Sequence, residues 1–428
     1  METSSGSGSR WLDRARMLRH RTVRRFYAGY VPSKLGTAMA SIALAFAVLD
    51  SGGSAADLGY VFAAQIVPQV LLMLGGGVVA DRLGRRPVML GADLLRTTSQ
   101  GVLAALLFAG HPSIWVFALL AGAVGVGDAL FGPAFNALTV ENAPSDELGD
   151  ANALFGMTQS GVSVVGPALA GALVALANPA TVVALDAASY GLSALALAGL
   201  KLPRSQGTAG SSVWRDLMEG WGEFKSRTWL WVTTLQFAPF NLVAWGPFLL
   251  LGPVLSKAYL GGAQAWGIIM AGYGAGSVAG GLVALGRRPG RPLLIAIAST
   301  FGYPLPLALL AFGLPTPEVA AGAVVAGLGS AGVQHLLVCF RPAASAQGGP
   351  GRVYAFVLVG AYSAGPIAYA GAGPVALLVG AHLVLAFGAA WAVLASLVVV
   401  GLPAIRWVHW RIAVDEPSEP QAPHSDAG

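Results

Sequence analysis

The sequence predicts an all-α integral membrane protein of twelve transmembrane helices, arranged as two pseudo-symmetric halves of six. Three observations lead there. Of the 428 residues, 55% are hydrophobic and 11% charged, with a mean hydropathy of +0.66, whereas a soluble domain is about 25% charged. A spanning helix needs about 20 apolar residues, and the chain offers twelve such runs. Basic residues collect in alternate inter-run segments, the asymmetry that sets topology in membranes.

Taken in order, residues 1–25 form a polar, arginine-rich tail expected on the cytoplasmic side. The first half, residues 26–200, holds runs at about 26–49, 56–80, 88–109, 113–137, 151–176 and 179–200. The second half, residues 228–402, holds runs at about 228–254, 264–286, 292–313, 318–340, 352–372 and 375–402. Between them, residues 201–227 are a cytoplasmic linker in which Val213, Trp214, Leu217, Met218, Trp221 and Phe224 recur at helical spacing opposite Asp216, Glu219 and Glu223. That pattern predicts an amphipathic helix at the membrane surface, capped by Ser212, serving as an interdomain tether or a partner site. Residues 403–428 are a second cytoplasmic tail, Pro-rich and polar at its end and expected to be disordered. With both termini inside, the inner segments hold Arg82, Arg85, Arg86, Lys201, Arg204, Arg215, Lys225, Arg227, Arg287, Arg288, Arg291, Arg341, Arg406 and Arg411, while the outer loops hold Lys257 alone with the acids Asp50 and Asp57. The first run is too long for a signal-peptide core and lacks a small-residue cleavage site, so no cleavable signal is expected.

Composition also excludes function classes. The single cysteine, Cys339, rules out an intramolecular disulfide framework and, with no paired Cys/His ligands, gives no metal site. The net charge of +5 is scattered over short loops and forms no nucleic-acid surface. No phosphate-cradling G-x-x-x-x-G-K-[ST] string and no nucleophile–base constellation occurs, so neither an enzyme nor a cofactor is expected. The expected partners are the bilayer, a small-molecule substrate and protons.

The most informative stretch is Gly77 to Arg86, G-V-V-A-D-R-L-G-R-R, between the second and third runs. A turn this short between two spanning helices lies at one bilayer face, with Gly77 and Gly84 allowing close approach and reversal. Asp81, Arg82, Arg85 and Arg86 concentrate charge there, which on its own also reads as a topology-setting loop. The full string resembles the loop-2/3 signature of the major facilitator superfamily, in which the acid and arginines latch neighbouring helices in one conformation of a transport cycle. Gly281 to Arg288 echoes it after the eighth run, with the Arg287–Arg288 pair but without the acid, as expected for two related halves rocking about a central site.

A second string in the fifth run, Gly156, Gly161 and then Gly166-Pro167-Ala-Leu-Ala170-Gly171, is dense in small residues that permit close helix packing. It also resembles the antiporter motif of drug–proton exchangers, with Ala170 in place of a glycine. Asp93-Leu-Leu-Arg96, residues 147–152, Leu185 to Tyr190 and Asp216 to Gly220 extend the resemblance to the drug–proton antiporter type 3 group, which includes macrolide and siderophore exporters. The resemblance implies export of a small amphipathic organic molecule in exchange for protons by alternating access, from a monomer in the inner (plasma) membrane. An importer or facilitator on the same fold, or a non-transporting membrane sensor, remain the other readings.

Ionisable groups inside apolar runs cost about 2.5–3.5 kcal/mol each on insertion scales and so mark function. Lys34 lies about 12 Å along the first helix from Phe26, and Asp128 about 15 Å from Leu138 on the fourth. Matched depth, with the first and fourth helices neighbours in the fold the resemblance implies, predicts a Lys34–Asp128 pair acting as a proton switch opened by protonation of Asp128; a static ion pair, or two groups snorkelling separately, is the other reading. Asp186, in the outer third of the sixth run, is a further proton-coupling candidate. Asp93 and Arg96, one turn apart, can pair with each other or with Arg82 and Arg85, and are expected to join the latch. The resemblance implies a substrate cavity lined by the first, fourth, seventh and tenth helices, with contacts expected from Gln236, Phe237, Phe240, Asn241 and Trp245 in the seventh run and Gln334 in the tenth. His335 and His382 can titrate near neutral pH but read first as packing residues. Trp115, Trp229, Trp231 and Trp407 read as interfacial anchors.

Overall fold

The computed structural model describes Arg19, residues 21–72, 76–142, 148–199, 234–235, 237–284, 298–339, 362–401 and a few isolated positions. The linker pattern of residues 201–227, apart from isolated positions, lies outside the described residues. So do Gln236, Trp229, Trp231, Trp407, the Arg287–Arg288 pair and the side chains of Asp81, Gln334 and His335.

In the first half the helices are α1 (Arg21–Asp50), α2 (Ala55–Leu72), the short α3 (Gly76–Leu83), α4 (Arg85–Ala109), α5 (Ile114–Asn142), α6 (Leu148–Leu176) and α7 (Pro179–Ala198). The second half contributes a π-helical turn Asn241–Trp245, α8 (Gly246–Leu255), a second π turn Ser256–Leu260, α9 (Ala263–Ala284), α10 (Pro304–Ala311), α11 (Thr316–Cys339), α12 (Gly365–Val379) and α13 (Ala381–Gly401). Among the described residues, eight helices are long and apolar enough to cross a bilayer, and α10 and α12 lie in shorter apolar helices. With α4 and α11 these occupy the places of the twelve expected runs.

α1 packs on α6 and α7, α2 on α5, and α4 on both α5 and α7. From Ile42 to Leu49 every residue of α1 is buried. A helix apolar on all sides belongs in the middle of a bundle rather than against lipid. Large apolar side chains elsewhere face outward, such as Trp115, Leu119, Leu176 and Leu378, as expected where the solvent is hydrocarbon. The halves meet along α6–α9 and α2–α12. These contacts include the face bearing the α1–α2 turn. Ser54 and Asp57 cap α2 reciprocally there: the Ser54 N–H and hydroxyl each donate to the Asp57 carboxylate at 2.8 Å.

Three boundaries differ from the sequence reading. The Gly77–Arg86 string is not a loop: Asp81 and Arg82 lie on helix α3, and Gly84 alone interrupts the helices, at φ 89°. That left-handed conformation is one only glycine adopts cheaply. The seventh helix does not stop at Val254 but continues through its second π turn to Leu260. The eleventh does not end near Ala372: Pro374 sits inside α12, and the break falls at Gly380, φ 92°. Proline is tolerated within a membrane helix where neighbouring groups re-satisfy the backbone, so it was a poor stop signal here.

The arginines of the string do local work. Arg86 donates from Nε to the carbonyl of Leu197 at 3.1 Å and from Nη2 to that of Ala198 at 2.6 Å, while Arg25 reaches Gly199 O at 3.1 Å. Two guanidinium groups thus meet the orphan carbonyls and negative dipole end of α7. Arg86→Gln is expected to destabilise the protein by about 0.5–2 kcal/mol, read as a lower thermal midpoint of the detergent-solubilised protein.

Candidate functional site

The ionisable residues of the first half converge. On α4, Asp93, Arg96 and Gln100 fall at i, i+3 and i+7 and so share one face. Arg96 forms an ion pair with Asp93 of its own helix and, through Nη1, a 2.9 Å ion pair with Asp128 Oδ1 of α5. Asp128 Oδ2 accepts from Gln69 Nε2 of α2 at 3.2 Å. The guanidinium lies 4.3 Å from the ring centroids of both Phe131 and Tyr190, a cation held between two aromatic rings. Gly127 of α5 makes room for this arm, since a Cβ there would lie 2.6 Å from Arg96 Cγ. Asp93 and Arg96 are buried, whereas the Asp128 side chain keeps 21% exposure.

Beside this triad, fully buried Asp186 on α7 accepts from Gln100 Nε2 at 2.8 Å. The Tyr190 hydroxyl meets Thr37 Oγ1 of α1 at 2.9 Å, which links α1 to the same cluster. Three carboxylates (Asp93, Asp128, Asp186) therefore stand with two cations (Arg96, Lys34) within the first half.

The expected Lys34–Asp128 ion pair does not form. Asp128 pairs with Arg96 instead, and the Lys34 ammonium lies 5.7 Å from the Tyr30 ring centroid. The reason is neighbourhood rather than depth: α4 packs along α5, while α1 barely touches it. Lys34 remains within electrostatic reach of Asp128. Asp93 and Arg96, about 12–17 Å along α4 from Arg85, belong to the buried cluster and not beside Arg82, which is exposed. Asp186, a proton-coupling candidate from the sequence, joins the cluster through Gln100. Gln69 and Gln100 went unread in the sequence. Counting amides alongside charges in the apolar runs would have found them, because an unpaired amide is also costly in hydrocarbon.

In the α6 string, Gly171 abuts α9, where an added Cβ would lie 2.7 Å from Ala263 O. Gly166 faces Ala38 of α1, and Gly161 faces open space. Pro167 O in turn closes on Gly267.

The second half is chemically different. Among its described residues, the only Asp, Glu, Lys or Arg in or next to a span are Lys257 and Glu318, both at helix ends. Its interior holds rings: Trp245 lies 5.0 Å from Tyr273, 5.1 Å from Tyr303 and 5.3 Å from Phe248, and Phe240 lies 5.0 Å from Tyr303. Phe237 meets Phe240 edge-on, and Asn241 Nδ2, at the start of the π turn, donates back to Phe237 O at 3.0 Å. Tyr273 and Tyr303, which no sequence motif marks, complete this group of rings. A separate apolar cavity of about 480 Å³ lies between α8, α12 and α13, lined by Val243, Pro247, Ala372, Val384 and Phe387 among others. His382 Nδ1 lies 2.8 Å from Ala311 O and ties α13 to α10, a packing role.

A family model described as Major Facilitator Superfamily matches residues 26–369. The multidrug efflux pump Tap of Mycobacterium tuberculosis (strain ATCC 25618 / H37Rv) is 28% identical over 388 residues, covering 87% of this chain and 91% of that protein. Macrolide efflux protein A of Streptococcus pyogenes is 25% identical over 261 residues, 60% of this chain and 64% of that protein. Among solved structures, the nucleoside transporter NupG superposes with a TM-score of 0.66 at 15% identity, covering 89% of this chain and 98% of that one. A bacterial homologue of the iron transporter ferroportin gives 0.65 at 15% identity, covering 89% and 98%. These structures share the fold.

Proposed function

The chain belongs to the Major Facilitator Superfamily, and on that premise we propose that it exports small amphipathic organic molecules in exchange for protons by alternating access. The observation that carries this reading is the cluster itself: three carboxylates and two cations gathered in one half, with Asp128 its partly exposed acid. Relatives named for multidrug and macrolide efflux support the direction and the substrate class. The aromatic surface of Phe240, Trp245, Tyr273 and Tyr303 suits planar or greasy ligands.

In this reading Asp128 is the exchange site. While it is ionised, Arg96 bridges α4 to α5 and Gln69 adds α2. A proton placed on Asp128 Oδ1 removes the charge that Arg96 was answering, and the α4–α5–α2 junction loosens. Arg96 keeps Asp93 as its counter-ion on the same helix, so the guanidinium is not left bare in hydrocarbon. Polar or cationic substrate beside Asp128 favours the ionised carboxylate and expels the proton, and by linkage the proton expels substrate. Residues 77–86, with Asp81, Arg82, Gly84, Arg85 and Arg86, act as the cytoplasmic gating latch. The protein works as a monomer in the inner (plasma) membrane with both termini cytoplasmic, the arrangement that the arginine distribution favours.

The test is proton flux in energised inverted vesicles, with a macrolide or a cationic dye as substrate. Wild type is expected to dissipate the pH gradient on substrate addition, and Asp128→Asn to lose at least about tenfold of that coupled flux, as removal of an interaction made in the coupled step would require. Substrate movement without protons in both proteins would overturn antiport in favour of facilitated diffusion.

A further inference from the structure

Lys257 was expected in an outer loop, the one base on a face that disfavours bases. The structure places it instead inside the seventh helix, in the π turn Ser256–Leu260, which ends at Gly261 with φ 96°. Its ammonium crosses between the halves. Nζ lies 2.6 Å from Asp50 Oδ1 and donates to Leu49 O at 2.7 Å, both at the last turn of α1.

From this geometry we propose that Asp50 and Lys257 form a latch that holds the two halves together at the outer face and opens once in each transport cycle. The inference rests on the alternating-access reading above. Three features set the pair apart from an incidental surface contact. Asp50 is an acid at the negative end of a helix, a position that is unfavourable without a cation. Lys257 answers both the carboxylate and the terminal carbonyl, so it neutralises the charge and part of the helix end together. The π turn, a form common at functional sites, carries Lys257 at the very end of the seventh helix, with Gly262 N–H returning to Ser256 O at 2.8 Å. Around the pair the same face is closed by close packing of Ala55 and Ala56 against Gly373, and of Gly171 against Gly267. With side chains 38% and 48% exposed, the pair is screened by water and weak enough to break in turnover.

The reporter is a cysteine at Ala55, 8% exposed at the closed face, in a Cys339→Ser background, labelled with a maleimide on the purified detergent-solubilised protein. Asp50→Asn and Lys257→Gln are each expected to raise the labelling rate about two- to fivefold, the range a partly exposed ion pair supports. Raising sodium chloride to about 1 M, where the screening length falls to about 3 Å, is expected to accelerate the parent to the same level and leave both variants unchanged. In the parent the salt arm needs no altered charge, so a parent that salt does not accelerate overturns the latch even where a variant fails to fold. Labelling equal to the parent in both variants, or an equal salt response in parent and variants, overturns the latch. The readout involves neither substrate nor protons, so it is independent of whether coupled efflux is found.

Discussion

Arg96→Gln is expected to cost more folded protein than any other single substitution in the first half. Removing one partner of a buried ion pair costs about 3–5 kcal/mol, because the remaining charge is left desolvated. Here two carboxylates, Asp93 and Asp128, lose the same cation. The stacking of the guanidinium between Phe131 and Tyr190 goes with it. Arg96→Lys retains the charge but not the planar fork that reaches two acids at once, so it is expected to recover only part of the loss. Adding Asp93→Asn to Arg96→Gln removes one stranded carboxylate and is expected to restore folded protein relative to the single variant, the signature of direct coupling in a double-mutant cycle. Membrane-inserted, detergent-stable yield is the measurement. Wild-type yield from Arg96→Gln alone would show that the cluster is not a structural centre.

Gly171→Val is expected to spare folding and abolish turnover. Gly171 faces the backbone of α9 at Ala263 and Gly267 across the boundary between the halves. A branched side chain there cannot be absorbed within one half, so the halves must move apart on that face. Overpacking typically costs about 1–3 kcal/mol. Charged against the closed state alone, that shifts the closed–open balance by about 5- to 150-fold, since 1.4 kcal/mol is about a factor of ten. Substrate efflux at unchanged expression is the measurement, and retained efflux would mean that this face need not close. Gly161→Val is the matched control, since a Cβ at Gly161 meets open space.

The contrast between those two glycines shows what the sequence could and could not convey. Twelve spans and the arginine asymmetry follow from hydropathy and charge, which act through the bilayer and need no knowledge of neighbours. That Asp93, Arg96, Asp128 and Asp186 matter was likewise legible, because any charge in hydrocarbon needs a reason. The Asp93–Arg96 pair was legible too, from its i,i+3 spacing; the partners across helices were not. Depth and the implied adjacency of the first and fourth helices made Lys34 and Asp128 partners, whereas partner choice depends on how closely the helices actually pack and how far each side chain reaches. Spacing likewise treats Gly161 and Gly171 alike, although only one lies against another backbone. The π turns at Asn241–Trp245 and Ser256–Leu260 were equally hidden, since no residue type specifies them, and they moved Lys257 from a loop to a helix end.

The uneven placement of charge has an evolutionary side. In the second half, a change among Phe240, Trp245, Tyr273 and Tyr303 exchanges one packed ring for another, and a volume-conserving swap of this kind usually costs under about 1.5 kcal/mol. Such steps can accumulate singly and be reversed. Around Arg96 a single step strands a carboxylate at several times that cost, so the cluster can change only by paired replacements. On the proposed reading the two halves are therefore expected to drift at different speeds: the aromatic surface can change one ring at a time, while the charged cluster can change only in pairs.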